Sequence, residues 1–222
     1  MYQKIFFFLF SITLLIGCRN FNPAKPGQGT VSYKVSYPGA NQFGVKSVLF
    51  PSEVILVFKD EKAAFIATGG MGMFQFVDLL DYKQKKFTSL LIDHIHGNYA
   101  CTRTADEIKA NENFPEYKFE KTSDTKSIAG LLSTRAVVKD ISHQSSFDIY
   151  YYDKIKFYYW NSPFKDFNYL YTQYRHTING LAMNLEATSV DLNIPVDTNL
   201  FSVKGDYTWV NQKQFFAHLS EL

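Results

Sequence analysis

Cysteine is nearly absent from this chain of 222 residues: only Cys18 and Cys101 occur. Two cysteines exclude a disulfide framework and a cysteine-based zinc site, so stability has to come from packing. Charge of either sign is also scarce. The 23 Lys and Arg against 21 Asp and Glu leave a net +2. That excludes the basic surface nucleic acid requires and gives no electrostatic pull toward acidic lipid. A membrane-spanning run is missing as well. The apolar stretch at residues 5–16 (IFFFLFSITLLI) is stopped by Arg19, well short of the roughly twenty residues a spanning helix needs. Catalytic signatures are missing: there is no Gly-x-Ser-x-Gly, no His-Glu-x-x-His, no Walker loop, and Gly70-Met71-Gly72 lacks the third glycine of a dinucleotide turn. The chain reads as a non-enzyme without a cofactor. No internal repeat or low-complexity tract is present.

What is there begins with the N-terminal segment. Lys4 supplies a positive end, and residues 5–16 have the length of a signal-peptide core. The core closes on Leu15-Ile16-Gly17-Cys18, which resembles a bacterial lipoprotein lipobox. The resemblance implies cleavage after Gly17 and lipidation of Cys18. Residues 1–17 are then a signal peptide, and 205 residues remain, enough for one domain with a real core. Residues 18–29 carry Pro23, Pro26, Gly27 and Gly29 with little to pack. They read as the acylated Cys and a tether, able to span about 35 Å when extended.

Residues 30–222 read as a single domain that is mainly β. Val31, Tyr33, Val35 and Tyr37 alternate with Thr30, Ser32, Lys34 and Ser36, the mark of a half-buried antiparallel strand. Further strands are expected at 54–58, 63–68, 74–79, 86–92, 95–102, 117–121, 131–139, 147–152 and 156–160. Residues 161–172 read as a loop or one helical turn. Thr104-Ala-Asp-Glu107 is a capping box opening a short helix. In 178–192, Leu181, Met183 and Leu185 share one parity and Val190 and Leu192 the other. One extra residue near 187–189, a β-bulge, explains the change and bends the sheet. Phe215, Leu219 and Leu222, with Asn211 as N-cap, form a C-terminal amphipathic helix. The architecture is a curved antiparallel sheet or incomplete barrel of about ten strands with one or two helices. Its concavity is apolar, with Tyr33, Val35, Phe58, Met71, Met73, Tyr151, Leu181, Met183 and Leu185 as candidates to line it.

Few residues suggest chemistry. His94 and His96 would point to one side of a strand, about 7 Å apart, and are the candidates for a metal, but no third ligand is spaced to join them. The plainer reading is two solvated histidines near a hairpin. Met71 and Met73, flanked by glycines, suit a soft Cu(I) site or an adaptable apolar flap. The dense aromatics of Tyr150-Tyr151-Tyr152 and Phe157-Tyr158-Tyr159-Trp160 send half their rings inward and leave half for a surface patch.

The order Lys126-Ser127-Ile128-Ala129-Gly130, then Phe147 to Tyr152, then Gly180 to Glu186, then Gly205-Asp206-Tyr207 resembles envelope lipoproteins of Bacteroidota. These are similar in turn to the LolA/LolB lipoprotein-carrier fold, a curved sheet cupping a hydrophobic cavity. The resemblance implies a lipid-anchored envelope protein, facing the periplasm or cell surface at the outer membrane, that binds a lipid, acyl chain or lipoprotein. A filled concavity would instead imply a structural lipoprotein that binds another envelope protein. A hydrolase at His94 and His96 is the minor alternative. Leu132 and Ser133 stand where many relatives carry a cysteine, and no catalytic residue is carried over.

Overall fold

The computed structural model describes residues 27–111, 115–158, 164, 167–178 and 181–221; side chains of 109–111, 177, 178, 181 and 221 are not described. The signal segment, Cys18 and most of the tether lie outside the described residues. The strands are β1 (Gln28–Ser36), β2 (Glu53–Lys59), β3 (Lys62–Gly69), β4 (Phe74–Asp81), β5 (Lys86–Asp93), β6 (Gly97–Thr104), β7 (Tyr117–Ile128), β8 (Leu131–Asp140), β9 (Ser145–Tyr152), β10 (Leu170–Ile178), β11 (Leu181–Asp191) and β12 (Thr208–Trp209). The helices are α1 (Ala105–Asn111) and α2 (Gln212–Glu221). The twelve strands among the described residues join one open, curved sheet in the order β12-β6-β5-β4-β3-β2-β1-β11-β10-β9-β8-β7. Neighbours are antiparallel except β12, which runs parallel to β6.

Alternation sorts the side chains onto two faces. The inner face carries Val31, Tyr33 and Val35 of β1, Leu56 and Phe58 of β2, Leu80 of β4, Phe87 and Leu91 of β5, and Ala136 and Val138 of β8, all buried. The sheet curls toward this face, so that β7 touches β11 across three intervening strands. The expected bulge is present. Ser32 pairs with Ser189 and Tyr33 with Ala187, leaving Thr188 as the extra residue.

Both helix starts follow their capping boxes. Thr104 Oγ1 accepts from Glu107 N at 3.2 Å while Glu107 Oε2 accepts from Thr104 N at 2.7 Å. Asn211 Oδ1 and Gln214 Oε1 make the same reciprocal pair. Each satisfies donors a helix start leaves open. The α2 helix lies on the inner face, where Phe215 packs with Leu91 and Cys101. On its way there the chain crosses the outer face, and Phe201 and Tyr207 cover Ala64, Val77, Leu79, Leu90 and Ala100.

Three expectations change. Residues 156–158 lie in no strand, because Phe157 turns into the bowl instead of alternating; Tyr159 and Trp160 lie outside the described residues. Residues 170–172, expected as loop or helical turn, begin β10; a register shift between Tyr171 and Gln173 hides the alternation. Residues 94–96, expected in a strand, form the tight turn between β5 and β6.

Candidate functional site

The inner face is the first place to look for a ligand, and the chain itself occupies it. The connection from β9 to β10 lays Ile155, Phe157, Phe164 and Phe167 against the inner face, all buried. Phe157 meets Phe58 and Phe65 edge-on, with ring centroids 5.7 and 6.2 Å apart. Phe167 stacks on Phe119 at 4.6 Å, and Phe164 packs among Tyr117, Phe147, Tyr171 and Tyr174. Tyrosine is used here because its hydroxyl can hold a carbonyl that burial would otherwise strand. Tyr33 Oη donates to the Tyr171 carbonyl at 2.7 Å, and Tyr171 Oη donates to the carbonyls of Phe167 and Phe164. Burial pushes the Tyr171 phenol well above its ordinary pKa.

The cavity candidates therefore divide. Tyr33, Val35, Phe58, Tyr151 and Leu185 are buried in the core, and Met183 packs against it in part. Leu181 opens β11, and its side chain is not described. Met71 and Met73 are elsewhere: they sit on the β3–β4 loop, 90% and 40% exposed. His176, beside Met183 in the pairing of β10 with β11, is a half-buried group alternation alone does not single out. Its Nδ1 has no partner, and burial pulls its pKa down to about 4.

Met71 belongs to one end of the sheet, where the β1–β2, β3–β4 and β5–β6 connections meet. The first is a 3-10 segment at Ala40–Leu49, broken at Gly44, whose φ of 56° and ψ of −135° favour glycine. Its base is held by Tyr37 and Phe43 packing on Phe50, and by Tyr37 Oη donating to the Pro51 carbonyl at 2.6 Å. Gly69 joins it to the second loop: a Cβ there would lie 2.5 Å from the Leu49 carbonyl oxygen and 2.3 Å from the Phe74 ring. The third joins through His94 N donating to the Met73 carbonyl at 3.2 Å. Val45, Val48, Met71 and Ile95 stand 86%, 68%, 90% and 66% exposed on these loops.

His94 and His96 are part of that turn. Asp93 Oδ1 accepts from the backbone N–H of Ile95 and His96, and Oδ2 pairs with His96 Nδ1 at 2.8 Å. Burial alone would raise the Asp93 pKa, but these hydrogen bonds and the imidazole outweigh it and hold the carboxyl below its ordinary value. The β8–β9 turn repeats the arrangement with Asp140 and His143, Nδ1 to Oδ2 again 2.8 Å. His96 and His143 each close an Asp-x-x-His turn. Among the described residues no three His, Cys, Asp or Glu come together to hold a metal, and no helix is long and apolar enough to cross a membrane.

A groove of about 520 Å³ opens where β9 and β10 part, lined by both polar side chains, among them Lys34, Asp148 and Arg175, and apolar ones, among them Phe147, Tyr174 and Leu185.

No protein-family model matches the chain, and no curated protein matches it in sequence. Among solved structures the fold is similar to PNGF-II in two crystal forms. In the P21 form the match covers 88% of this chain and 34% of that chain at 16% identity, with a TM-score of 0.53. In the C2 form it covers 87% and 33% at 17% identity, with a TM-score of 0.51. The chain thus spans about a third of the length of PNGF-II, and at this identity the likeness is one of fold.

Proposed function

We propose that the chain is a cell-envelope lipoprotein, anchored through Cys18 at the outer membrane, that works as a docking module for another envelope component and performs no catalysis. The observation that carries this reading is the filled inner face. Phe157, Phe164 and Phe167 of the β9–β10 connection and Phe215 of α2 cover the side chains that would otherwise cradle an apolar ligand. What is left for recognition is the outside. There Val45, Val48, Met71 and Ile95 project from three adjoining loops, and apolar side chains gathered on a surface mark interaction sites. A fold that occupies a third of a longer chain in PNGF-II fits use as a module. The carrier reading, in which a lipid or lipoprotein fills the concavity, rests on the LolA/LolB resemblance and requires the β9–β10 connection to leave the bowl.

The test is photo-crosslinking in the envelope from a probe at Val45 or Met71, against a probe at Glu61 on the opposite end of the sheet. The docking reading expects one product from the first two positions and none from the third, lost on Val48→Asp. Equal products from both ends, or no product, would contradict it.

A further inference from the structure

One corner of the molecule gathers positive charge over aromatic rings. It lies where β9 ends, the connection departs and β10 begins. Lys126 sits over the Tyr150 ring at 5.5 Å and Lys154 over Tyr152 at 5.9 Å. Lys121 of β7 faces three rings, Tyr169, Phe167 and Tyr151, at 4.6, 5.6 and 5.9 Å. The Lys156 ammonium is 3.7 Å from the centre of the Tyr169 ring. Tyr169 thus stands between two ammonium groups, and its Oη accepts a hydrogen bond from Lys121 Nζ at 2.7 Å.

Among the described residues, no carboxylate lies within ion-pair distance of Lys121 or Lys156. The acids nearby on β7 and β9 are engaged elsewhere: Asp124 and Asp148 with Arg135, and Glu120 with Lys139. Asp153 acts on Lys121 only through its field. The corner therefore holds two compact charges, fixed by rings, with unspent donors. Lys121 has used one of its three N–H groups, and the Tyr169 O–H proton is free to be donated.

Such an arrangement suits one ligand chemistry. Lysines bind a phosphate as point charges on its several oxygens, and a neutral phenol adds a donor to one of them. The surrounding rings offer a surface for whatever uncharged part the anion carries. We infer that Lys121, Tyr169 and Lys156 form a binding site for a phosphate group carried on a larger molecule. The phenol donates to one phosphate oxygen and the two ammonium groups flank the others. In support, the hydrogen bond from Lys121, and then Lys156, pull the Tyr169 phenol below its ordinary pKa, the mark of a positive local field at this corner. The inference is independent of the docking reading, because it uses no residue of the apolar end.

The test uses the full chain in neutral detergent micelles and two probes, inorganic phosphate and micelles doped with phosphatidic acid, each followed by phosphorus NMR. Binding of both probes, or of inorganic phosphate alone, identifies a soluble phosphate compound as sufficient. Binding of the lipid alone identifies a headgroup. Lys121→Met and Lys156→Met, both at exposed positions, should each weaken binding at least tenfold. Lys118→Met, elsewhere on β7, should change it less than twofold. If neither probe binds, or if Lys118→Met weakens binding as much as the other two, the site is overturned.

Discussion

Among strands β1 to β6, the connections at the two ends of the sheet show opposite surfaces to water. At the end where β1 begins, the turns read Lys59-Asp60-Glu61-Lys62 and Lys83-Gln84-Lys85-Lys86, polar connections of the usual kind. At the other end the turns carry Val45, Val48, Met71 and Ile95, all largely exposed. The strands between them are equally well packed, so the difference is not one of folding. Apolar side chains that could have been Ser or Lys, as at the other end, are kept in water on loops whose bases are firmly held. The inner face sharpens the contrast, since there the chain covers apolar surface with its own Phe157, Phe164 and Phe167.

The comparison can be broken or sharpened by substitution, and the largest effect should come from the bowl. Phe164 is fully buried, and Phe164→Ala is expected to cost about 3–5 kcal/mol in chemical denaturation. A cost near zero would mean the connection does not fill the bowl.

The next effect should come from pH. The unfolded chain protonates His176 near pH 6.5, while the folded chain holds it neutral down to about 4. Stability should therefore be full above pH 6.5 and fall as pH drops toward 4, by on the order of 2–3 kcal/mol, at about 1.4 kcal/mol per unit. His176→Gln should flatten that window in denaturation curves taken across it.

Gly69→Ala should follow, at about 1–3 kcal/mol, because its Cβ meets the Leu49 carbonyl and the Phe74 ring. Hydrogen exchange should rise in the loops around 40–49 and 70–73 and not at the charged end. Asn211→Ala should cost about 1 kcal/mol through loss of the α2 cap, and should speed labelling of Cys101, which is buried beside Phe215, as mapped by peptide mass spectrometry. Met71→Ser should change stability by less than about 0.5 kcal/mol while weakening the crosslink from Val45. A large stability loss there would make Met71 a structural residue and erase the contrast between the ends.

Much of this fold was legible in the residues. Strict alternation at Val31, Tyr33 and Val35 located β1, the parity change located the bulge to within a residue of Thr188, and the Thr104–Glu107 capping box and the Asn211 N-cap located the two helix starts. These signals are local, so one strand or one turn contains them. The failures were long-range. Tyr171 and Tyr174 both pack in the core, but the register shift between Tyr171 and Gln173 breaks the period of two and hides the start of β10 at residues 170–172. The aromatics around Phe157 have strand composition yet serve as the filling of the bowl. Periodicity told that Tyr33 and Leu185 face one side and could not tell whether a ligand or Phe157, Phe164 and Phe167 would cover them. The pairing of His96 with Asp93 inside the β5–β6 turn, and its repeat at Asp140 and His143, needed the turn geometry.

The most direct test of the account is native mass spectrometry of the full chain released from detergent, with extracted lipids analysed beside it. A chain whose bowl is filled by Phe157, Phe164 and Phe167 should fly without a non-covalent apolar passenger. A stoichiometric bound lipid or acyl chain, lost when Tyr33 or Tyr151 is replaced, would contradict the account and make the inner face a carrier site.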